Sequence, residues 1–247
     1  MCTSGAVNKH FLFKNRDMGA DASLEESIIH GTGIYDYIGV AGHATPKERG
    51  LNSGINSAGV AALMTYVGNE GLAFEINSSI SRGVLIEEIL RTASDLDEAL
   101  EVATYLLNKY RFVGGNILIN SPQGVAIIEQ RHPRYAIERT NQRLVVRTNH
   151  FLNLKFDINS EERLNNSKIR FARFTELLDT LPKDNRSISP DSIRLLLADK
   201  ENGENSICRD DREKGITVSS VVYDIQNPTM YYIYGLPSNG SYTEYRL

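Results

Sequence analysis

Residues 1–7 read "MCTSGAV", and residues 10–17 read "HFLFKNRD". These two short runs decide how the rest of the chain is read. Both have strand-like composition, and the Asn8-Lys9 pair between them signals a turn, so they form a hairpin. With a loop of two or four residues, paired positions sum to 17 and Cys2 lies opposite Asn15. Asp17 is then diagonal to Cys2 on the same face, and Arg16 points to the other face. A one-residue bulge would exchange the two. Cellular methionine aminopeptidase removes Met1 when the second residue is small, as cysteine is. The mature chain then begins with a residue carrying both a thiol and a free α-amine. A cysteine thiol ordinarily titrates near ~8.5 and an α-amine near ~7.7–8.0, so the amine can take the thiol proton near neutral pH. Nucleophile and general base come as one unit, suited to acyl transfer from an amide through a thioester. Asp17 would hold and orient that amine.

Outward from this hairpin, residues 1–80 continue as short strands and turns, including "YIGVAG" and "GVAALMTYV". The period then changes to helical over "RGVLIEEILRTA" and "SDLDEALEVATYLLNKY". In the second, Leu96, Ala99, Leu100, Ala103, Leu106 and Leu107 recur on one face, and Ser94 with Asp97 forms a capping-box pattern. Strands return with "NILIN", a turn over residues 121–124, "VAIIEQ" and "RLVVRTNH". Helices are expected over 160–181 and 190–199, the latter opened by Ser189-Pro190. Residues 200–216 read as a polar loop, and a terminal hairpin turns at residues 226–228. Blocks of strands alternating with paired helices predict layered α+β, with sheets inside and helices outside.

The bulk properties narrow the function. The chain has 247 residues, 41% hydrophobic and 23% charged, which fits one large globular domain spanning 1–247. A net charge of −4 without a long basic run argues against a nucleic-acid partner. No apolar stretch approaches the ~20 residues of a membrane span, and the first residues lack the apolar core of a signal peptide. The two cysteines, Cys2 and Cys208, read as reduced thiols of a cytoplasmic protein, with Cys208 a small buried or loop residue. The five histidines are scattered without metal-ligand spacing. His150 reads equally as a pocket or a structural residue, and His43 sits in a loop near the expected substrate entrance. "GTG" at 31–33 and "GHATPKERG" at 42–50 lack a Walker pattern, so no phosphate cradle is expected. The pair Tyr231-Tyr232 places one ring on each face of a strand. No metal, nucleotide or flavin cofactor is implied.

"MCT" followed by "KNRD" resembles the N-terminal nucleophile (Ntn) hydrolases of the penicillin V acylase and bile salt hydrolase group. The chain is more similar still to the branch of acyl-coenzyme A:6-aminopenicillanate acyltransferases. "SGINSAGVAAL", "GGNILINSPQGVAIIE", "RTNHF", "NSKIRFARFTELL", "SICR" and "TVSSVVYDIQNPTMYYIYGLPS" follow in the family's order along nearly the whole chain. The resemblance implies a four-layer αββα sandwich with the nucleophile at the end of a central strand. It implies Cys2 as nucleophile and base, Asp17 as the orienter of its amine, and Asn149 as a second orienter or as polariser of the substrate carbonyl. An oxyanion donor is implied at about Tyr66, from its side chain or backbone. Lys14 stands where the family usually has arginine, and Arg16 is shifted beside the aspartate, so either cation can serve the site. Ser219-Ser220 replaces the arginine that bile salt hydrolases use near the C-terminal strand, and Asp210 replaces a frequent histidine after "ICR".

The implied activity is hydrolysis of the linear amide bond of an N-acylated small molecule. Acyl transfer to an amine is the alternative, and a non-catalytic binding protein on the same fold is a second one. Class II glutamine amidotransferases also start with Cys after Met, but they usually read Met-Cys-Gly-Ile and carry a second domain; this chain has Thr3. Many members of the group are dimers or tetramers, and a homo-oligomer is compatible with this sequence.

Overall fold

The computed structural model describes residues 2–19, 25–42, 50–67, 80–155, 160–211 and 213–247. His43 and most of the 42–50 segment lie outside the described residues. Two antiparallel sheets face each other. The first has the strand order β10-β1-β2-β12-β13-β14: β1 is Cys2–Val7, β2 Phe11–Met18, β10 Leu144–Arg147, β12 Gly215–Asp224, β13 Thr229–Tyr234 and β14 Thr243–Arg246. A short β11, Asp210–Asp211, pairs with β12. The second is a meander in sequence order: β3 Glu26–Gly31, β4 Tyr37–Gly42, β5 Gly50–Asn56, β6 Ala61–Tyr66, β7 Gly115–Ser121, β8 Gly124–Arg131 and β9 Arg134–Thr140.

Helices α1, Arg82–Thr92, and α2, Leu96–Lys109, interrupt the meander between β6 and β7 and cover its outer face. The six apolar residues expected on one face of α2 are its buried residues. Each buried leucine there contributes about 1.5–3 kcal/mol. The cap lies one residue later than expected. Asp95 is the N-cap and accepts from Glu98 N at 2.9 Å, while Glu98 reaches back to Ser94 N at 2.8 Å. The capping box predicted for Ser94 and Asp97 is corrected accordingly: Asp95 and Glu98 satisfy the free N–H groups better because the helix begins at Leu96.

Helices α3, Glu161–Asp179, and α4, Pro190–Leu197, cover the outer face of the first sheet, packing Phe174, Leu178, Ile193 and Leu197 against Phe11, Phe13 and Val222. A third cluster, including Leu12, Ile38, Leu63, Leu118, Ile127 and Val221, fills the space between the sheets. This makes the αββα layering. The Tyr231-Tyr232 pair does straddle its strand, with Tyr232 in the inter-sheet core and Tyr231 against the helical layer. The segment read as a loop at 200–216 also contains β11 and the start of β12.

The β1–β2 hairpin differs from its expected register. Its loop has three residues, Asn8 to His10, with Lys9 at φ 66°, so Val7 pairs with Phe11 and Cys2 pairs with Arg16 rather than Asn15. The cause lies on the opposite sheet. The Asn120 side chain of β7 donates to Val7 O at 3.0 Å and Phe11 O at 2.9 Å, and accepts from Lys9 N at 2.9 Å. One amide thereby satisfies the turn and fixes the register. Arg16 therefore shares the inward face with Cys2, and alternation turns Asp17 to the helical side.

Candidate active site

β1 is a central strand, hydrogen-bonded to β2 on one side and β10 on the other, and Cys2 stands at its first position. The Cys2 backbone nitrogen donates to Asn149 Oδ1 at 2.8 Å, and Asn149 Nδ2 donates to Tyr66 O at 2.6 Å. Asn149 lies two residues beyond the end of β10, and its segment is pinned from the second sheet. Asn116 Nδ2 donates to Thr148 O at 3.0 Å and His150 O at 3.3 Å, and Thr65 Oγ1 donates to Thr148 O at 2.9 Å. Asn116 and Asn120, four apart on β7, share its inward face; one sets the Asn149 segment and the other sets the β1–β2 turn.

Downstream, Glu129 at 1% exposure accepts from the backbone N–H groups of Leu152, Asn153 and Leu154 at 2.7–2.8 Å. His150 is structural in its contacts: Nδ1 lies 2.8 Å from Ser167 Oγ and 3.1 Å from Thr148 Oγ1. Burial and nearby cations push its pKa down to about 4, so it is neutral at neutral pH.

Arg170 of α3 is the group that sequence reading missed. Its guanidinium is fully buried and donates to Cys2 O at 2.7 Å, Thr3 Oγ1 at 3.0 Å, Asn149 Oδ1 at 2.9 Å and Asn166 Oδ1 at 3.0 Å. Burial pushes its pKa down to about 10, so it remains a cation at neutral pH. The available signal was its place in "NSKIRFARF", where helical spacing puts Asn166, Ser167, Arg170 and Phe174 on the buried face.

Asp17 is 1% exposed and accepts from Thr217 Oγ1 at 2.8 Å. Burial raises its pKa, opposed by the chain's N-terminal amine, Arg170 and Arg209 in that order. Asp17 lines the same cleft as Cys2, although alternation along β2 puts its side chain on the sheet face opposite the Cys2 side chain. The two candidate cations differ. Arg16 forms a buried ion pair with Glu26 at 2.6 Å, and its guanidinium occupies the space that a Cβ on Gly42 would fill. Lys14 Nζ donates to Met64 O at 2.7 Å and Asn52 Oδ1 at 3.3 Å, and among the described residues no carboxylate pairs with it. Burial lowers its pKa, and Cys2 is the strongest opposing influence.

Cys2, Lys14, Arg16, Asp17 and Tyr66 line one cleft of about 160 Å³. Through Met18, Gly19 and Tyr66 it adjoins a broader polar bowl of about 610 Å³ under α3. The structure therefore brings together all five residues singled out in the sequence, with Asn149 behind Cys2 rather than in the wall of the cleft. Tyr66 engages Asn149 through its carbonyl, and the Arg82 guanidinium lies 5.7 Å from the centre of its ring. Cys208 is a buried free thiol.

The fold is shared with solved structures of low sequence identity. A conjugated bile acid hydrolase variant from Clostridium perfringens superposes with TM-score 0.63 at 14% identity, covering 100% of this chain and 97% of the other. A penicillin V acylase from Agrobacterium tumefaciens gives 0.60 at 13%, covering 95% and 83%. A Caenorhabditis elegans N-acylethanolamine-hydrolyzing acid amidase ortholog gives 0.59 at 14%, covering 91% and 93%. A comparison with curated protein sequences finds no match. The family model described as acyl-coenzyme A:6-aminopenicillanic acid acyl-transferase matches residues 5–239, a span that holds the β1–β2 turn, the Asn149 segment, Arg170 and the terminal hairpin. The chain belongs to that acyl-transferase family, on the αββα fold of the Ntn hydrolases.

Proposed function

We propose that this protein is a cysteine N-terminal nucleophile amidohydrolase that cleaves the linear amide bond of an N-acylated small molecule. The observation that carries the reading is the 2.8 Å contact between the Cys2 nitrogen and Asn149 Oδ1, made at the head of a cleft that the buried Asp17 also lines. Once Met1 is removed, that nitrogen is the α-amine. Asn149 Oδ1 fixes one of its N–H directions, Asp17 supplies negative charge, and the lone pair is left to receive the thiol proton.

The thiolate adds to the amide carbonyl carbon, and the proton held on the amine passes to the leaving nitrogen as the C–N bond breaks. The amine product departs and a thioester remains on Cys2. The freed α-amine then takes a proton from water, hydroxide adds to the thioester carbonyl, and the acid and the thiol are released. The Tyr66 segment, lining the same cleft, is the proposed source of the oxyanion donor, a contribution ordinarily worth 10²–10³ in rate. The protein families represented among the structural neighbours, bile acid hydrolase, penicillin V acylase and N-acylethanolamine amidase, support amide cleavage as the reaction class.

A second reading is acyl transfer to an amine in place of water. The broad polar bowl beside the thiol favours it, since an acceptor amine can be seated there. A panel of N-acyl amides, with and without an added amine, tests both readings. Amide cleavage should disappear in Cys2→Ala; cleavage that survives in that variant overturns the assignment of the nucleophile. Rapid alkylation of Cys2 by iodoacetamide relative to Cys208 distinguishes an enzyme from a binding protein on the same fold, for which both thiols should react slowly.

A further inference from the structure

Strand β12 pairs with β2 in two registers. From Ser219 to Asp224 its partners run in order from Arg16 to Phe11, whereas Ile216 and Thr217 face Met18 and Asp17. Continuing the longer register by one residue would set Val218 opposite Asp17. Val218 is instead the extra residue of a β-bulge, its carbonyl accepting from Gly235 N at 2.7 Å, and Thr217 takes the place opposite Asp17. A bulge interrupts the ladder of hydrogen bonds and is kept where it re-aims a side chain. Here it replaces an aliphatic neighbour of the carboxylate with a hydroxyl.

That hydroxyl has one proton to give. Arg209 N donates to Thr217 Oγ1 at 2.9 Å, and Thr217 N donates to Arg209 O at 2.9 Å, so both the backbone and the side chain of Thr217 are anchored. Its own proton goes to Asp17 Oδ1 at 2.8 Å. Thr217, Arg209 and Asp17 are all buried. The charges around the carboxylate are the N-terminal amine, Arg170 of α3 and Arg209, and the Cys208 thiol lies within its field. Arg170 gives its hydrogen bonds to Cys2 O, Thr3 Oγ1, Asn149 Oδ1 and Asn166 Oδ1, and Arg209 gives one to Lys214 O. These two cations act on Asp17 through their field, whereas Thr217 supplies a bond with a direction. A hydroxyl proton held on a buried carboxylate favours its charged form.

We infer that Thr217 is a positioning residue of the reaction: set opposite Asp17 by the Val218 bulge, its hydroxyl holds the Asp17 carboxylate in the orientation from which it acts on the α-amine of Cys2. The inference rests on the reading of Asp17 as the partner of that amine, and deepens it by tying the carboxylate to β12.

Thr217→Val removes the proton donor at nearly constant volume, and Thr217→Ser keeps it. The readout is the pH profile of Cys2 alkylation by iodoacetamide in the full-length protein. In Thr217→Val its acid limb should move to higher pH by about one to two units, the 10- to 100-fold change in the protonation of Asp17 expected when a charged group loses one hydrogen bond. Thr217→Ser should keep the wild-type profile. In the Asp17→Asn background, Thr217→Val should change nothing further, since a residue that acts through the carboxylate has no effect once the carboxylate is gone. Should urea titration show that Thr217→Val does not fold, Thr217→Ala removes the same hydroxyl with less bulk and carries the same expectations. Equal shifts in Thr217→Val and Thr217→Ser, or a shift that persists beside Asp17→Asn, mark a purely structural role and overturn the inference. A wild-type profile in Thr217→Val beside an altered one in Asp17→Asn overturns it too, and leaves the hydrolase standing. A wild-type profile in Asp17→Asn itself overturns both the role of Asp17 and that of Thr217.

Discussion

Arg170→Leu is the perturbation that most fully exercises this architecture. The guanidinium ties helix α3 to β1 and to the Asn149 side chain through four donated hydrogen bonds. Leucine keeps most of the packing volume and removes all four. The Cys2 carbonyl and Asn166 Oδ1 lose the buried donor they have here, at about 1–3 kcal/mol each. Asp17 also loses a cation that stabilises its charged form. Together these put the destabilisation at about 3–5 kcal/mol. For a chain of this size that is a fall in Tm of roughly 10 °C. Lysine at the same position keeps the charge but not the planar fork, so Arg170→Lys should recover part of the stability and little of the orientation of Asn149. Urea unfolding measures the first quantity. The pH profile of Cys2 alkylation by iodoacetamide, run well below the unfolding midpoint, measures the second: in Arg170→Leu its acid limb should move to higher pH, because Asp17 then holds its proton more tightly. A variant within about 1 kcal/mol of wild type with an unchanged alkylation profile would refute the reasoning.

Asp17→Asn should lower amide cleavage by 10²-fold or more, because the amine loses its negative partner. Since burial raises the pKa of Asp17 in the folded state, its ionisation costs stability that is present at low pH and lost as pH rises through the raised value. Relative to wild type, Asp17→Asn should therefore gain stability in urea titrations as pH rises above the ordinary aspartate range. His150 has the opposite sign. With its folded pKa near 4 against an ordinary 6.5, the unfolded chain binds more protons in between, so stability should fall below pH 6.5 with a component absent from His150→Gln. Glu129→Gln replaces one oxygen of a carboxylate that accepts three backbone N–H groups with a donor; hydrogen exchange at Leu152, Asn153 and Leu154 should quicken, with a stability loss of about 2–4 kcal/mol.

The αββα layering was legible because the apolar positions of α2 repeat at helical spacing and those flanking it alternate or run as buried strands. The hairpin around Cys2 was enough to single out Asp17, and the family resemblance added residues 16, 66 and 149, which lie together with it in space. The hairpin register was not legible, since it depends on Asn120, more than a hundred residues away, holding Lys9 in a left-handed turn. Local turn chemistry alone favoured an even loop. Arg170 was hidden for a related reason. On a helix otherwise rich in charged residues, one arginine looks like solvent-facing polarity until tertiary packing places it under β1. The distinction between Lys14 and Arg16 required knowing that Glu26 comes from the other sheet.

Intact-protein mass spectrometry of a rapidly quenched reaction with an N-acyl amide tests the central claim most directly. The account predicts a chain lacking Met1 that gains the mass of the acyl group, with the adduct located on Cys2 and absent from Cys2→Ala. A mature chain that retains Met1 and still cleaves the amide, or an acyl adduct on any other residue, would contradict it.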